Sequence, residues 1–300
     1  MSAIPISRRT FLGSGSLLAT QTDAKPPTRF QPACMTLPYS SFPLERALEG
    51  IKSAGYNHVA WGTAHRDAGS KPKPVMAVNA PASEAKQLAQ RCRDLGLEPV
   101  MMFSQVYPDA PEAVAAHTSR IEQAAAAGMP FVLTFGRTQP GAYEIFVANL
   151  KRVGPIARAN NVTVLIKQHG GNSATGRHCS KILAEVADPG VQMCYDAGNV
   201  LDYENADPIP DIQECWLDVR AFAIKDHRNF PKDQDCGPGF GEIDHYKLLA
   251  PVMRTGLTMP LACENIFEPL VPRPAKPEGV DALARRAREF LETVIRGLQT

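Results

Sequence analysis

No stretch of this 300-residue sequence approaches the roughly 18 uninterrupted apolar residues that a membrane-spanning helix needs. Nor is there an excess of one charge. Lys and Arg number 32 against 31 Asp and Glu, a net charge of +1, with no basic run, so the concentrated positive surface that binds nucleic acid is missing. Cysteines number seven, an odd count, and none falls in a C-x-x-C pair, which signals neither a disulfide framework nor a structural zinc knuckle. Cys194 and Cys263 lie inside apolar runs and read as buried thiols. No G-x-G-x-x-G follows the first predicted strand and no P-loop occurs, so nothing marks a nucleotide crevice. What is present is ordinary for a large globule: 44% hydrophobic and 21% charged residues, which excludes collagen-like, disordered and coiled-coil chains. The length suits two domains at about 150 residues each or a single α/β barrel.

The first residues stand apart. Ser7-Arg8-Arg9-Thr10-Phe11-Leu12 and the modestly apolar stretch to Thr20 resemble a twin-arginine export signal. Residues 21–30 read as a spacer. The expectation is a signal and spacer over 1–27, a barrel over 28–300, and a periplasmic or otherwise exported protein that is not stably inserted in the membrane. A basic tail on a cytoplasmic protein is the alternative.

Beyond the tail, short apolar runs alternate with stretches of helical periodicity, the pattern of a parallel sheet built from βα units. Strands are predicted near 30–36, 57–62, 98–104, 130–136, 162–169, 191–196, 220–226 and 259–264. Helices are predicted from Leu44 to a stop at Gly55, over 84–95 with Ser83 as N-cap and Gly96 as stop, and near 111–127, 142–160, 175–187, 207–217, 244–256 and 278–298. Repeated eight times, this alternation predicts a single (β/α)8 TIM barrel; a doubly wound open sheet is the competitor.

In such a barrel the chemistry sits where strands run into their C-terminal loops. The fifth strand ends in Lys167-Gln168-His169-Gly170-Gly171, the sixth in Tyr195-Asp196-Ala197-Gly198-Asn199, the seventh in Lys225-Asp226-His227 and the eighth in Glu264-Asn265. Imidazole with carboxylates is a ligand set for one divalent ion such as Mn, Co or Zn, and the oxygens also admit Mg. Asp196, His169 and Glu264 are the expected ligands, with His227 as a fourth. A lone strand-end Asp or His otherwise serves as a helix cap. Lys225, Asp226 and Asn199 are expected to touch substrate. So are Gly239 and Gly241, in the loop Pro238-Gly-Phe-Gly-Glu-Ile-Asp244, whose Asp244 is placed to cap the next helix. Arg66, Asp67 and Arg137 read more readily as solvated loop charges.

These residues resemble the xylose isomerase-like barrels, the sugar phosphate isomerases and epimerases, which include inosose dehydratases and ketose 3-epimerases. The resemblance spans about 30–298 and rests on His169-Gly170-Gly171, Tyr195-Asp196-x-Gly198-Asn199, Ile224-Lys225-Asp226, Pro238-Gly-x-Gly-x-Ile-Asp244 and Glu264. It implies one divalent metal held by Glu, Asp, His and Glu from the fifth to eighth strands. Asp196 and Glu264 match, whereas Lys167 stands at the first Glu position and Ala223 at the His position. His169 or His227 is then left to compensate. The resemblance further implies a metal-dependent sugar isomerase or epimerase working through an enediolate, with Glu264 and Lys167 moving protons. A lyase or dehydratase on a keto sugar or inosose-like substrate, and a non-catalytic exported sugar-binding barrel, are the alternatives. The expected partner is a small sugar, not nucleic acid, and the chain is a candidate homo-oligomer.

Overall fold

The computed structural model describes residues 25–67, 69–136 and 141–299. The twin-arginine motif and Arg137 therefore lie outside the described residues. Among those described, no helix is long and apolar enough to cross a membrane.

Eight parallel strands close a barrel: β1 Arg29–Met35, β2 His58–Trp61, β3 Glu98–Phe103, β4 Phe131–Phe135, β5 Thr163–Lys167, β6 Val191–Tyr195, β7 Val219–Ile224 and β8 Thr258–Cys263. Each strand is hydrogen-bonded to its sequence neighbours, and β8 returns to β1 through the register Arg29↔Thr258 to Cys34↔Cys263. Closure leaves no strand edge to be capped. Residue alternation divides the apolar side chains into two sets. One points inward and fills the barrel, including Ala33, Met35, Ala60, Phe103, Leu133, Leu165, Cys194, Ala221, Ala223 and Ala262. The other packs outward under the helices, as Val164, Ile166, Met193, Tyr195, Phe222 and Ile224 do. All seven cysteines are buried free thiols, as expected for Cys194 and Cys263.

The helices are α1 Leu44–Ser53, α2 Ala82–Asp94, α3 Ala113–Ala127, α4 Tyr143–Ala159, α5 Gly176–Val186, α6 Ala197–Glu204, α7 Pro208–Cys215, α8 His245–Leu249 and α9 Pro277–Gln299. Helix α9 packs on α1, where Asp281 accepts from the Tyr39 hydroxyl at 2.9 Å and pairs with Arg46 at 2.6 Å. Gly55 and Gly96 follow their helices with φ of 90° and 74°, as predicted.

Three local expectations need correction. Ser83 is not the cap of α2: Pro81 precedes the first helical residue, Ala82, its ring-fixed φ of −63° starting the helix two residues earlier. The helix expected over 244–256 stops at Leu249 and continues as a 3-10 turn over Ala250–Val252, because Pro251 has no N–H to extend it. The segment after β6, to which no element was assigned, is α6, and the segment after β7 is an antiparallel hairpin pairing Asp226–Arg228 with Gln234–Cys236.

Candidate functional site

Two residues beyond the inward-facing Leu165, Cys194, Ala223 and Ala262 stand Lys167, Asp196, Lys225 and Glu264. Strand alternation therefore carries one charged side chain from each of β5, β6, β7 and β8 into the same layer at the C-terminal mouth. The layer beneath is built from small residues, Cys194, Ala223 and Ala262, which leaves the long lysine stems room inside the barrel.

Lys167 is the hub. Its ammonium donates to Asp196 Oδ2 at 2.7 Å and to Glu264 Oε2 at 2.6 Å, with 2% of its side chain exposed. Burial pulls the Lys167 ammonium down, but the two carboxylates outweigh it and raise its pKa above the usual lysine value. Burial pushes the other way on Asp196; the charges of Lys167 and Lys225 and the hydrogen bonds it accepts prevail and lower it. Both groups are therefore ionised at neutral pH.

Asp196 is also the N-cap of α6. Its Oδ1 accepts from Asn199 N–H at 2.9 Å, while its own N–H donates to Gln168 Oε1 at 2.8 Å and the Asn199 amide donates to the Gln168 carbonyl at 2.6 Å. Asn199 and the fully buried Gln168 thus hold Asp196 in place, and no direct role toward a ligand is needed to explain them. Lys225 donates to Asp235 Oδ2 at 2.6 Å. Its stem lies against Gly198, where a Cβ would come within 2.6 Å of Lys225 Cγ. Burial lowers the Lys225 ammonium, but the charges of Asp196 and Glu264 raise it overall. A cavity of about 230 Å³ opens beside this layer, lined by Lys225, Asp235, Glu264, Asn265 and Arg273 together with Leu37, Pro38 and Phe267. It is smaller than a drug-sized pocket and suits a small polar molecule.

The two histidines go elsewhere. The His169 ring stacks on Phe135 at 4.7 Å and sits beside Tyr107 and Tyr203, its Nε2 3.5 Å from the Tyr203 hydroxyl. Burial, helped by the Lys167 charge, pulls its pKa down to about 4, so at neutral pH it is a neutral member of an aromatic wall. His227, on the hairpin, is fully buried, with Nδ1 3.1 Å from Asp235 Oδ1 and Nε2 3.3 Å from Asp233 Oδ1, out of line for a hydrogen bond. His227, Asp202 and Asp233 offer ligand atoms within 4.8 Å of one another, a set able to hold a metal ion. Asp235 links this rim cluster to the inner one, accepting from Lys225 Nζ at 2.6 Å and standing 3.1 Å from His227 Nδ1. The four expected ligands are thus divided: Asp196 and Glu264 share Lys167, and His169 and His227 belong to two other groups. A divalent ion does not fit between Asp196 and Glu264 as they stand, because the Lys167 ammonium already bonds an oxygen of each.

Asp226 turns away from the mouth. Its Oδ1 accepts from His227 N–H at 2.9 Å and Ile243 N–H at 3.1 Å, and its Oδ2 accepts from Gly239 N–H at 3.0 Å. These bonds fasten the 238–244 loop to the end of β7, and Arg286 holds it from outside by donating to the Pro238 carbonyl at 2.7 Å. Gly241 has no Cβ because one would run into the Asp226 carboxylate and the His227 carbonyl, and a Cβ on Gly239 would stand 2.5 Å from the Phe290 ring. The two glycines approach protein atoms. Asp244 caps α8 by accepting from Lys247 N–H at 3.1 Å, as predicted. Asp67 is a surface charge paired with Lys73. Reading the strand ends quoted Gln168 and Gly198 without giving them a role in the site, and overlooked Asp202, Tyr203, Asp233 and Asp235. Only Gly198 carried a sequence signal, as part of the Tyr195-Asp196-x-Gly198-Asn199 string.

No curated protein matches the sequence at a significant level. Solved structures do match in fold. L-ribulose 3-epimerase is 17% identical with a TM-score of 0.68, over 91% of this chain and 96% of that one. The IOLI protein with a bound zinc atom is 14% identical with a TM-score of 0.70, over 89% and 99%. A probable 3-DHS dehydratase, AsbF from Bacillus anthracis, is 11% identical with a TM-score of 0.63, over 87% and 98%. Identities this low establish the barrel and not the reaction. Residues 48–293 match the family described as xylose isomerase-like TIM barrel, and with the closed eight-stranded barrel and charged mouth described above, the chain belongs to that family.

Proposed function

We propose that this chain is a sugar isomerase or epimerase that removes a proton from the carbon next to a carbonyl. The observation that supports it most is the placement of Glu264. It is the one inner carboxylate with an accessible face, 16% exposed against none for Asp196, and it lines the cavity together with the Lys225 ammonium. Glu264 takes the proton as general base. The electron pair left on carbon moves onto the carbonyl oxygen, and the negative charge that develops there is stabilised by the fixed ammonium groups of Lys225 and Lys167. The hydroxyl proton on the deprotonated carbon passes to the former carbonyl oxygen, and Glu264 returns the abstracted proton to the former carbonyl carbon, giving isomerisation. Return to the opposite face of the same carbon, giving epimerisation, requires a second proton donor. The aromatic wall of Phe135, Tyr107, His169 and Tyr203 offers an apolar surface for the C–H face of a sugar ring.

Dehydration is the second reading, favoured by the same geometry when the carbon beyond the abstracted proton bears a hydroxyl group that can leave. Deuterium exchange separates the readings. A panel of keto sugars incubated with the protein in deuterated water is followed by NMR. Exchange at the carbon next to the carbonyl without loss of water is expected, and Glu264→Gln should slow it by about 10² to 10⁴-fold. Exchange accompanied by stoichiometric loss of water selects the dehydratase. If no sugar exchanges, and Glu264→Gln still binds the same sugar by calorimetry, the barrel is a binder and the proton-transfer reading is wrong.

A further inference from the structure

We propose that the Lys167 ammonium is a built-in replacement for a divalent cation at the barrel mouth, so that the inner site of this chain excludes a metal ion and becomes an ion site when Lys167 is replaced. Asp196 and Glu264 arrive from β6 and β8 and converge on a single point. That point is occupied by an Nζ atom 2.7 Å from one carboxylate oxygen and 2.6 Å from the other. Both contacts are in the range of charge-assisted hydrogen bonds. A small divalent ion held by the same oxygens at about 2.0–2.2 Å would need the same point, so ammonium and ion are mutually exclusive there.

Charge and donor chemistry lead the same way. The two inner carboxylates already face two ammonium groups, since Lys225 also feels both of them. A divalent ion added to this balanced set would be repelled by both lysines. Nor do the expected ligand positions offer a neutral donor to complete its shell: Ala223 has none, His169 is packed against Phe135, and His227 is tied to Asp235 on the hairpin. Lys167 is 2% exposed and bonded at both carboxylates, so it cannot swing aside into solvent without leaving Asp196 buried and unpaired. The proposal concerns ion binding and holds whether or not the proton-transfer reading does.

The test measures Mn²⁺ retained per chain after dialysis, with the Mn²⁺-dependent rise in melting temperature as a second readout. It is done in an Asp233→Asn background so that the rim cluster of Asp202, His227 and Asp233 does not contribute. Asp233→Asn alone should retain no Mn²⁺ and show no rise. Adding Lys167→Glu supplies a third carboxylate where the ammonium was, and should give about one Mn²⁺ per chain, bound at least 100-fold more tightly and lost again on adding Asp196→Asn. Three carboxylates without a cation repel one another, so Lys167→Gln serves where Lys167→Glu fails to fold; it should still show a Mn²⁺-dependent rise that Asp233→Asn lacks. Retention of one Mn²⁺ by Asp233→Asn that Asp196→Asn removes overturns the proposal. So does the absence of any Mn²⁺ effect in a folded Lys167 variant.

Discussion

Asp226→Asn tests whether this buried carboxylate is a fastener for the rim loop or a contact for substrate. The side chain is fully buried and accepts three backbone N–H groups, from His227, Gly239 and Ile243. Hydrogen bonds to a charged acceptor are worth about 1.5–3 kcal/mol against about 0.5–1.5 for a neutral one. An asparagine that keeps its carbonyl oxygen at the Oδ1 position weakens the His227 and Ile243 bonds by roughly 1 kcal/mol each. Its amide then faces the Gly239 N–H donor to donor and leaves that group unpaired, at about 1–3 kcal/mol. Relief of carboxylate burial offsets part of the sum, so the net loss is about 2–3 kcal/mol, which lowers the melting temperature of a chain this size by roughly 3–5 °C. Thermal unfolding followed by circular dichroism reads the loss, and hydrogen exchange should show faster exchange confined to 237–244. A variant that melts within about 1 °C of wild type with unchanged loop exchange, well below the roughly 3–5 °C expected, refutes the fastener assignment. If such a variant has also lost turnover, Asp226 acts on substrate after all.

Other outcomes follow from the same geometry. Gly198→Ala places a methyl group 2.6 Å from Lys225 Cγ and should drive that ammonium off Asp235, lowering turnover by about tenfold or more by the size of a typical electrostatic contribution, measured as kcat on whichever keto sugar exchanges. His117 is buried with Nδ1 donating to the Ala113 carbonyl at 2.7 Å and Nε2 3.1 Å from the Ser104 hydroxyl, and burial holds its pKa down to about 4. Between about pH 6.5 and 4 the unfolded chain therefore binds a proton that the folded one does not, and stability should fall on acidification by up to roughly 3 kcal/mol from this group. Urea unfolding at pH 7 and 4.5 reads the difference, and His117→Gln should flatten it; an equal slope in the variant would remove His117 from the account.

The barrel was legible because its strands are apolar runs with helices between them, and every predicted strand boundary lies within two residues of the observed one, the widest differences being at the ends of β5 and β7. The charged layer was legible for the same reason: Lys167, Asp196 and Glu264 stand at strand ends, where period-two alternation still holds. Alternation also shows what the reading passed over. Lys225 and Asp226 are consecutive, so they point to opposite faces, and only one of them can enter the mouth. His169 and His227 lie past the strand ends, where alternation no longer governs direction, and their neighbours on other loops decided where each ring went. Helix α6 was hidden by its eight-residue length and its internal glycine, and by Asp196, which caps a helix and belongs to the charged layer at once. The hairpin over 226–236 has no apolar alternation at all, so Asp233 and Asp235 could not be placed near His227 from sequence.

A cation carried on a lysine has a different economy from one drawn from solution. It is present in each copy as soon as the chain is made, at fixed stoichiometry, with no loading step. No chelator can strip it, and no tighter-binding competitor from the transition series can take its place. The barrier to the other arrangement is slight in genetic terms. Lysine and glutamate codons differ at a single base, so one transition at position 167 separates a mouth that supplies its own positive charge from one that must find it in the surroundings.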